Sequence, residues 1–346
     1  MLVVRAVQSG DLDGLIALAS QTGSGMTTLK ADRDMLARRV EFACASFAGT
    51  IAPECRDYLF VMEDTVGGTL AGVCAIKSAV GLDEPFYNYW IGTLVHASKE
   101  LGIFSRMDAL FPSNDLAGSS ELCSLFLHPA YRQGDNGRLL SKSRLLFIAQ
   151  FPHLFAEKLF AELRGFLRPD GSSPFWDSVG QHFFQMEFER ADELTSLGKK
   201  SFIAELMPRH PLYVFYLSQE AQQAIGKVHV DTAPARRLLE HEGMVFDGYV
   251  DIFDAGPVLQ ARVRELRALR DSVLSAIDTA DAVAANSAAT LVTNTALRDF
   301  RAIVSATIPS GGRLVLTASE QALLHVGPGD TVRSLSLHAT EAAAHA

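Results

Sequence analysis

The sequence is short of cysteine, tryptophan and positive charge. Its 346 residues hold four cysteines, and Cys44, Cys55, Cys74 and Cys123 stand far apart, with no CxxC pair among them. That excludes a disulfide framework and a zinc knuckle, and the thiols read as small buried hydrophobes in a reducing compartment. No HExxH or clustered Cys/His spacing is present, so no metal is expected. Lys and Arg total 31 against 40 Asp and Glu, a net charge of -9. A nucleic-acid partner would call for a basic excess. No uninterrupted apolar run approaches the roughly 18 residues that cross a bilayer. The start, MLVVRAVQSGDLDGL, lacks the basic end and apolar core of a secretory signal. These absences point to a cytoplasmic protein with no membrane partner.

What is present is ample core material, 48% hydrophobic residues, in a chain long enough for one large or several small domains. Residues 2–6 read as a strand, followed by a helix with Leu12, Leu15, Ile16 and Ala19 on one face. A second helix is expected near 32–47. Strand-like runs at 59–63 and 70–77 flank Val66-Gly67-Gly68, a hairpin signal. Residues 86–94 and 122–127 read as strands, 138–150 as a helix, 158–164 as a strand and 173–184 as a helix. Further on, 202–206 reads as a strand, 217–225 and 233–242 as helices, and 245–253 as a strand. Residues 254–271, rich in arginine, fit helix or loop. Residues 279–290 are alanine-rich and read as a linker. Short runs at 291–293, 300–307 and 313–317, with glycine and proline turns, suggest a small all-β appendage. Hairpins among alternating strands and helices favour an α+β fold with a mixed sheet over a purely parallel one.

One stretch carries chemistry. In LHPAYRQGDNGRLLSKSR an apolar strand runs into Arg132-Gln-Gly-Asp-Asn-Gly137, and a helix follows. Free amides at a helix start attract anions, glycines let a phosphate approach, and Arg132 and Arg138 add charge. Pattern alone leaves an ordinary solvated turn as the simpler reading, because short glycine motifs recur by chance. It is no P-loop, since no Gly-Lys-Ser/Thr follows.

The turn resembles the acyl-CoA motif of the GNAT acyltransferase superfamily, Arg/Gln-x-x-Gly-x-Gly/Ala between the fourth strand and a helix. Arg132 and Gly137 match its outer positions. Asp135 stands where the middle glycine belongs, one residue after Gly134. The longer runs SPFWDSVGQHFF, KKSFIAELMPRHPLYVFYLSQEAQQAIGKVH and TAPARRLLEHEGMVFDGYVDIFDAGP resemble the arginine N-succinyltransferase family, and the likeness spans most of the chain. The resemblance implies two tandem GNAT-like lobes, each with a mixed central sheet flanked by helices. The lobes would span 1–195, with the acyl-CoA site, and 196–275. A linker at 276–290, the appendage at 291–339 and a disordered tail at 340–346 would follow. It also implies succinyl transfer from succinyl-CoA to the α-amine of L-arginine in arginine catabolism. Ornithine or another amino acid as acceptor, or a non-catalytic acyl-CoA-binding subunit, are the alternatives. An assembly is expected, as a homo-oligomer or with a related subunit. Succinyl-CoA enters as co-substrate, and no other cofactor is implied.

Such a transfer needs a neutral amine, a donor for the oxyanion and a proton for the thiolate. The strand end before the turn is where the thioester would lie, so Leu125, Phe126 and Leu127 are expected to meet succinyl-CoA. Arg132, Gly134, Asn136, Gly137 and Arg138 would hold its phosphates. The resemblance implies His229 as proton donor; among ten histidines, residue type alone favours none. His128, His182 and His210 are the other candidates. Cys123 on an apolar strand reads as packing. Residues 24–29 could lie near the acceptor or form a plain connector. Arg209 and His210 could meet the succinyl carboxylate or form a solvated turn. The guanidinium partner cannot be chosen among so many carboxylates.

Overall fold

The run Tyr58-Leu-Phe-Val-Met62 is buried without interruption. An unbroken apolar strand needs cover on both faces, and it organises the molecule. We describe a computed structural model that covers residues 1–22, 26, 28–196, 201–279 and 289–338. Strands β1 (Leu2–Ala6), β2 (Asp57–Asp64), β3 (Thr69–Lys77) and β6 (Ser120–Leu127) pair antiparallel in that order. Helices α1 (Leu12–Ala19) and α2 (Arg33–Ala48) cover one face; their Leu15, Leu18, Leu36 and Val40 pack on Leu59, Val61 and Val73. Asp32 caps α2 through the Met35 amide at 2.8 Å, and Gly49 ends it in the left-handed region at φ 77°. Helix α3 (Asn136–Gln150) covers the other face and is buried from Leu139 to Ala149.

Strand β4 (Asn88–Ser98) and β5 (Ile103–Ser113) form a long hairpin between β3 and β6 in sequence. The sheet then continues through β7 (Lys158–Glu162), β10 (Pro257–Arg262), β9 (Val245–Val250), that hairpin, and β8 (Leu212–Tyr213). Beyond the opposite edge, β1 pairs with β13 (Arg301–Ser305). After it come β12 (Thr290–Thr293), β15 (Thr331–Ser336), β11 (Val273–Thr279) and β14 (Arg313–Leu316). All fifteen strands among the described residues therefore share one mixed sheet. The separate central sheets expected for 1–195 and 196–275 are joined: β4 pairs with β9 across that boundary, and β5 with β8.

Several local expectations are corrected. Residues 202–206 lie in a helix, Ser201–Leu206, not a strand. Within 254–271 the segment Pro257–Arg262 is strand β10, because Val258 and Leu259 fill core positions between β7 and β9. The expected linker 276–290 begins inside β11 and ends inside β12; residues 280–288 lie outside the described residues. The appendage is not all β. Ala318–Leu324 is a helix, opened by a Thr317–Glu320 capping box. Phe300 from this unit inserts against Phe60 and Phe147, with ring centroids 5.5 and 5.0 Å apart. The expected tail 340–346 lies outside the described residues.

Candidate functional site

Strands β6 and β7 run parallel but pair only at their starts, Ser120 with Leu159 and Glu121 with Phe160. Beyond that the two separate. Continuing the same offset sets Cys123 opposite Glu162 across the gap, with the end of β6 beyond it facing the Arg164 side. On its other side β6 is bulged. Val73 meets Phe126 and Ala75 meets Cys123, so Cys74 faces both Ser124 and Leu125. Ser124 adopts φ 54°, a left-handed conformation that costs a non-glycine residue about 1–2 kcal/mol. Leu125 is thus left with no register partner on either neighbour. A bulge of this kind re-aims backbone groups beside a site.

Two arginines hold the bulge from opposite faces. Arg39 of α2 donates from Nη1 to Ser124 Oγ at 2.9 Å and to the Thr28 carbonyl, while its Nε meets Asp57 at 2.8 Å. Arg144 of α3, fully buried, donates to the Cys123 carbonyl at 3.3 Å and to Ser141 Oγ at 3.0 Å. No carboxylate faces Arg144 among the described residues, so its positive field reaches the bulge. Arg39, by contrast, is largely neutralised by Asp57. The nearby thiol of Cys123 is pushed up to about 11 by burial, then by Glu121, which fits packing and not nucleophilic chemistry.

The strand ends at Leu127, and the turn follows. His128 accepts the Ala130 amide on Nδ1 at 3.1 Å, capping the short turn Pro129–Tyr131. Gly134 takes φ 53° with open space around it, as does the space near Gly137 apart from Leu127 at 3.9 Å. Asn136 opens α3, and its Nδ2 bonds the Tyr131 carbonyl at 2.9 Å. Arg132 lies exposed, bonded from Nε to the Leu127 carbonyl at 3.0 Å and set 5.8 Å over the Phe126 ring. Asp135 does not project alone at the middle-glycine position. Its oxygens meet Arg138 at 3.0 Å and His338 at 3.3 Å. Leu125, Phe126 and Leu127 thus end the strand, and Arg132, Gly134, Asn136, Gly137 and Arg138 follow along the turn and the start of α3; Phe126 itself is buried.

His229 comes to the same gap from the far side. Its amide donates to the Arg164 carbonyl at 2.9 Å, and Val228 bridges to Gly165. Nδ1 accepts the Asp231 amide at 3.3 Å, which leaves Nε2 to carry the ring proton in the neutral tautomer. Burial, then the Arg164 charge, lowers its proton affinity below the ordinary histidine value, against the pull of Asp231. A cavity of about 560 Å3 opens beside it, lined by Arg164, Phe166, Leu167, Arg168 and Val230. Arg168 is already tied to Asp177 at 2.5 Å and Glu220 at 2.7 Å. His182, Arg209 and His210 are exposed and stand on other segments. Of the 24–29 loop, residues 24, 25 and 27 lie outside the described residues. Groups of three or more potential metal ligands do not occur among the described residues.

A partly buried carboxylate cluster was missed from sequence. Glu162 ends β7 and accepts Asn88 Nδ2 at 2.7 Å. Burial, then Asp251 and Glu121, raises its proton affinity well above the ordinary carboxylate range. Asp254 is pushed up to about 8 by burial and by Asp251, although it accepts the amides of Gly165 and Gly256. Nothing local marks these residues; they meet only through strand pairing.

A family model described as "Arginine N-succinyltransferase beta subunit" matches residues 2–268. The model of that subunit's C-terminal domain matches 273–336. This chain belongs to the arginine N-succinyltransferase family. An arginine N-succinyltransferase of Enterobacter sp. is 50% identical over 337 residues, covering 97% of this chain and 98% of the relative. One from Escherichia coli is 48% identical over 341 residues, covering 99% of each. The solved structure of arginine/ornithine succinyltransferase subunit AI from Pseudomonas aeruginosa superposes with a TM-score of 0.89 at 34% identity, over 98% of this chain and 99% of that one. The family match thus runs from β1 through β15, and includes the turn and His229.

Proposed function

We propose that this chain is an arginine N-succinyltransferase that moves the succinyl group of succinyl-CoA to the α-amine of L-arginine by direct attack, in arginine catabolism. The observation that carries the reading is the gap between β6 and β7: the bulge at Leu125, the glycine turn at the start of α3 and His229 all open on it. Succinyl-CoA lies with its pyrophosphate on Arg132, Gly134, Asn136, Gly137 and Arg138. Its pantetheine runs along Leu127 and Phe126, and its thioester carbonyl rests at Leu125. Backbone amides freed by the bulge receive the oxyanion, within the field of Arg144. His229, neutral with its proton on Nε2, gives that proton to the departing thiolate, and the proton released by the attacking amine returns to Nε2, so the ring ends as it began. The step needs no metal and no cofactor beyond the co-substrate.

The lobes 1–195 and 196–275 act as one catalytic body in this scheme, the first supplying the CoA surface and the second His229. The Pseudomonas relative's name pairs arginine with ornithine and calls that chain a subunit. Ornithine is accordingly the second acceptor to try, and a homo- or hetero-oligomer the expected assembly, in the cytoplasm. No described helix is long and apolar enough to cross a membrane. The test is direct. Purified protein with succinyl-CoA releases free thiol when arginine is added; CoA binding without arginine- or ornithine-dependent release would leave only a binding subunit.

A further inference from the structure

Glu162 faces the side of the sheet away from α3. Along β7, Leu159 and Ala161 pack in the core beneath α3, so Phe160 and Glu162 point the other way. On β6, Cys123 and Phe126 face that same side, in the core shared with α1 and α2. Glu162 is partly exposed, at the end of β7 where the two strands part. Its neighbours include two other carboxylates, Glu121 and Asp251, and Lys77 is already paired with Glu121 at 3.0 Å. Asp251 spends one oxygen on the amides of Phe253 and Asp254. The crevice therefore gathers carboxylates around Glu162, and a cationic group brought against it would favour its ionised form.

A second observation points to a ligand. Asn88 is 1% exposed, and while its Nδ2 serves Glu162, its Oδ1 has no partner among the described residues. Leaving a buried acceptor unmade costs about 1–3 kcal/mol. An unmade acceptor of this kind calls for an explanation, and a polar ligand with several N–H donors supplies one.

We propose that Glu162 and Asn88 form the subsite for the cationic end group of the acceptor, the guanidinium of arginine. A guanidinium presents its donors as a planar fork, which suits one carboxylate and one amide oxygen side by side. This deepens the function proposed above and rests on it. Length decides which end of the amino acid sits here. Glu162 and Arg164 are two residues apart on an extended strand, roughly 6.6 Å. The five bonds from Cα to the guanidinium carbon, each about 1.5 Å, span roughly 6 Å when staggered. With the guanidinium at Glu162, the α-amine reaches the level of Arg164 and His229. With the α-ammonium at Glu162, it would stop two residues short of the thioester. The two substrates thus enter opposite charge: succinyl-CoA on a basic turn, arginine on an acidic crevice.

The experiment compares wild type with Glu162→Gln and Asn88→Ala. Arginine binding to the CoA-loaded protein is measured by calorimetry, and turnover is followed with arginine and with citrulline, its neutral isostere. Glu162→Gln is expected to weaken arginine binding and raise its KM at least tenfold, with the KM for succinyl-CoA unchanged. The preference for arginine over citrulline should collapse. Asn88→Ala should weaken arginine in the same direction, and melting curves should show both variants folded. Unaltered arginine affinity and preference in folded Glu162→Gln overturns the subsite. So does an equal loss of kcat on both acceptors with KM kept, which would make Glu162 a base. Wild type that binds arginine through Glu162 yet releases no thiol would leave the subsite standing and sink the transferase reading. Wild type that binds no arginine would overturn the subsite.

Discussion

Replacing Glu242 by glutamine is expected to destabilise the protein by about 3–5 kcal/mol, the range for breaking a buried ion pair from one side. Glu242 is 0% exposed. Its Oε1 receives Lys142 Nζ at 2.8 Å, Arg267 Nη2 at 2.7 Å and Arg267 Nε at 3.0 Å. The two cations also bond the carbonyls of Leu337 and Ser336, at 2.7 and 3.1 Å. Glutamine keeps the shape and removes the charge, so two buried cations are left face to face. At about 2.1 cal/mol/K per residue, a chain of this length unfolds with roughly 0.7 kcal/mol/K, and the expected fall in Tm is about 4–7 °C. Thermal melts at pH 7, followed by circular dichroism, read it. A fall under about 1 °C, or a rise, would refute the reasoning. The pH trend adds a second check. Burial already lowers the proton affinity of Lys142 below the ordinary lysine value, and Glu242 opposes that shift. Without Glu242 it drops further. The unfolded lysine then holds a proton that the folded one gives up, so stability of the variant climbs as pH rises toward the ordinary lysine value. The gap to wild type should narrow over that window.

His229→Ala should lower kcat about 10²- to 10⁴-fold while succinyl-CoA binding, measured by calorimetry, stays put. Because burial lowers the His229 proton affinity, the acid limb of kcat/KM should fall below the ordinary histidine value; a limb centred above 7 would contradict the assignment. Arg132→Gln should raise the KM for succinyl-CoA roughly tenfold or more, the worth of one charge-assisted bond, without moving that for arginine; equal shifts in both would speak against a phosphate role. Thiol labelling of the native protein should be fast at exposed Cys55 and silent at buried Cys74 and Cys123, whose thiols are pushed up to about 12 and 11. Rapid labelling of all four cysteines would show that the described burial is wrong.

The sequence revealed what is local. Strands with unbroken apolar runs, such as Tyr58–Met62, and the strand-turn-helix around Arg132 were legible because their signals lie within a dozen residues. Residues 202–206 misled, since Phe202 and Ile203 suit either a short strand or a buried helix face. The strand Ile103–Ser113 went unread because its partner hairpin stands out from the core, with Val95, Leu101, Ile103 and Phe104 exposed, so no alternation marks it. The helix Ala318–Leu324 did carry a signal, Thr317-x-x-Glu320, which the glycine-rich surroundings outweighed. The pairing of Glu162 with Asn88 across 74 positions leaves no trace in spacing. His229 was legible only through the family resemblance, since its place follows from one backbone bond to Arg164.

The pairing of Val4 with Ala302 and Arg5 with Arg301 has a consequence for how the chain is made. Strand β1 leaves the ribosome before the other described strands, and its outer edge finds β13 only after about 300 further residues have followed. At about 5–20 residues per second, that edge waits roughly 15–60 seconds. An unpaired strand edge with an apolar face is a template for pairing with other chains. A chain cut after residue 268, where the first family match ends, would keep that edge bare for good and lose Phe300 from the core. Such a fragment is expected to collect as aggregate rather than as an independent catalytic domain. The C-terminal unit thus serves the nascent chain as a late-arriving cover for its oldest strand.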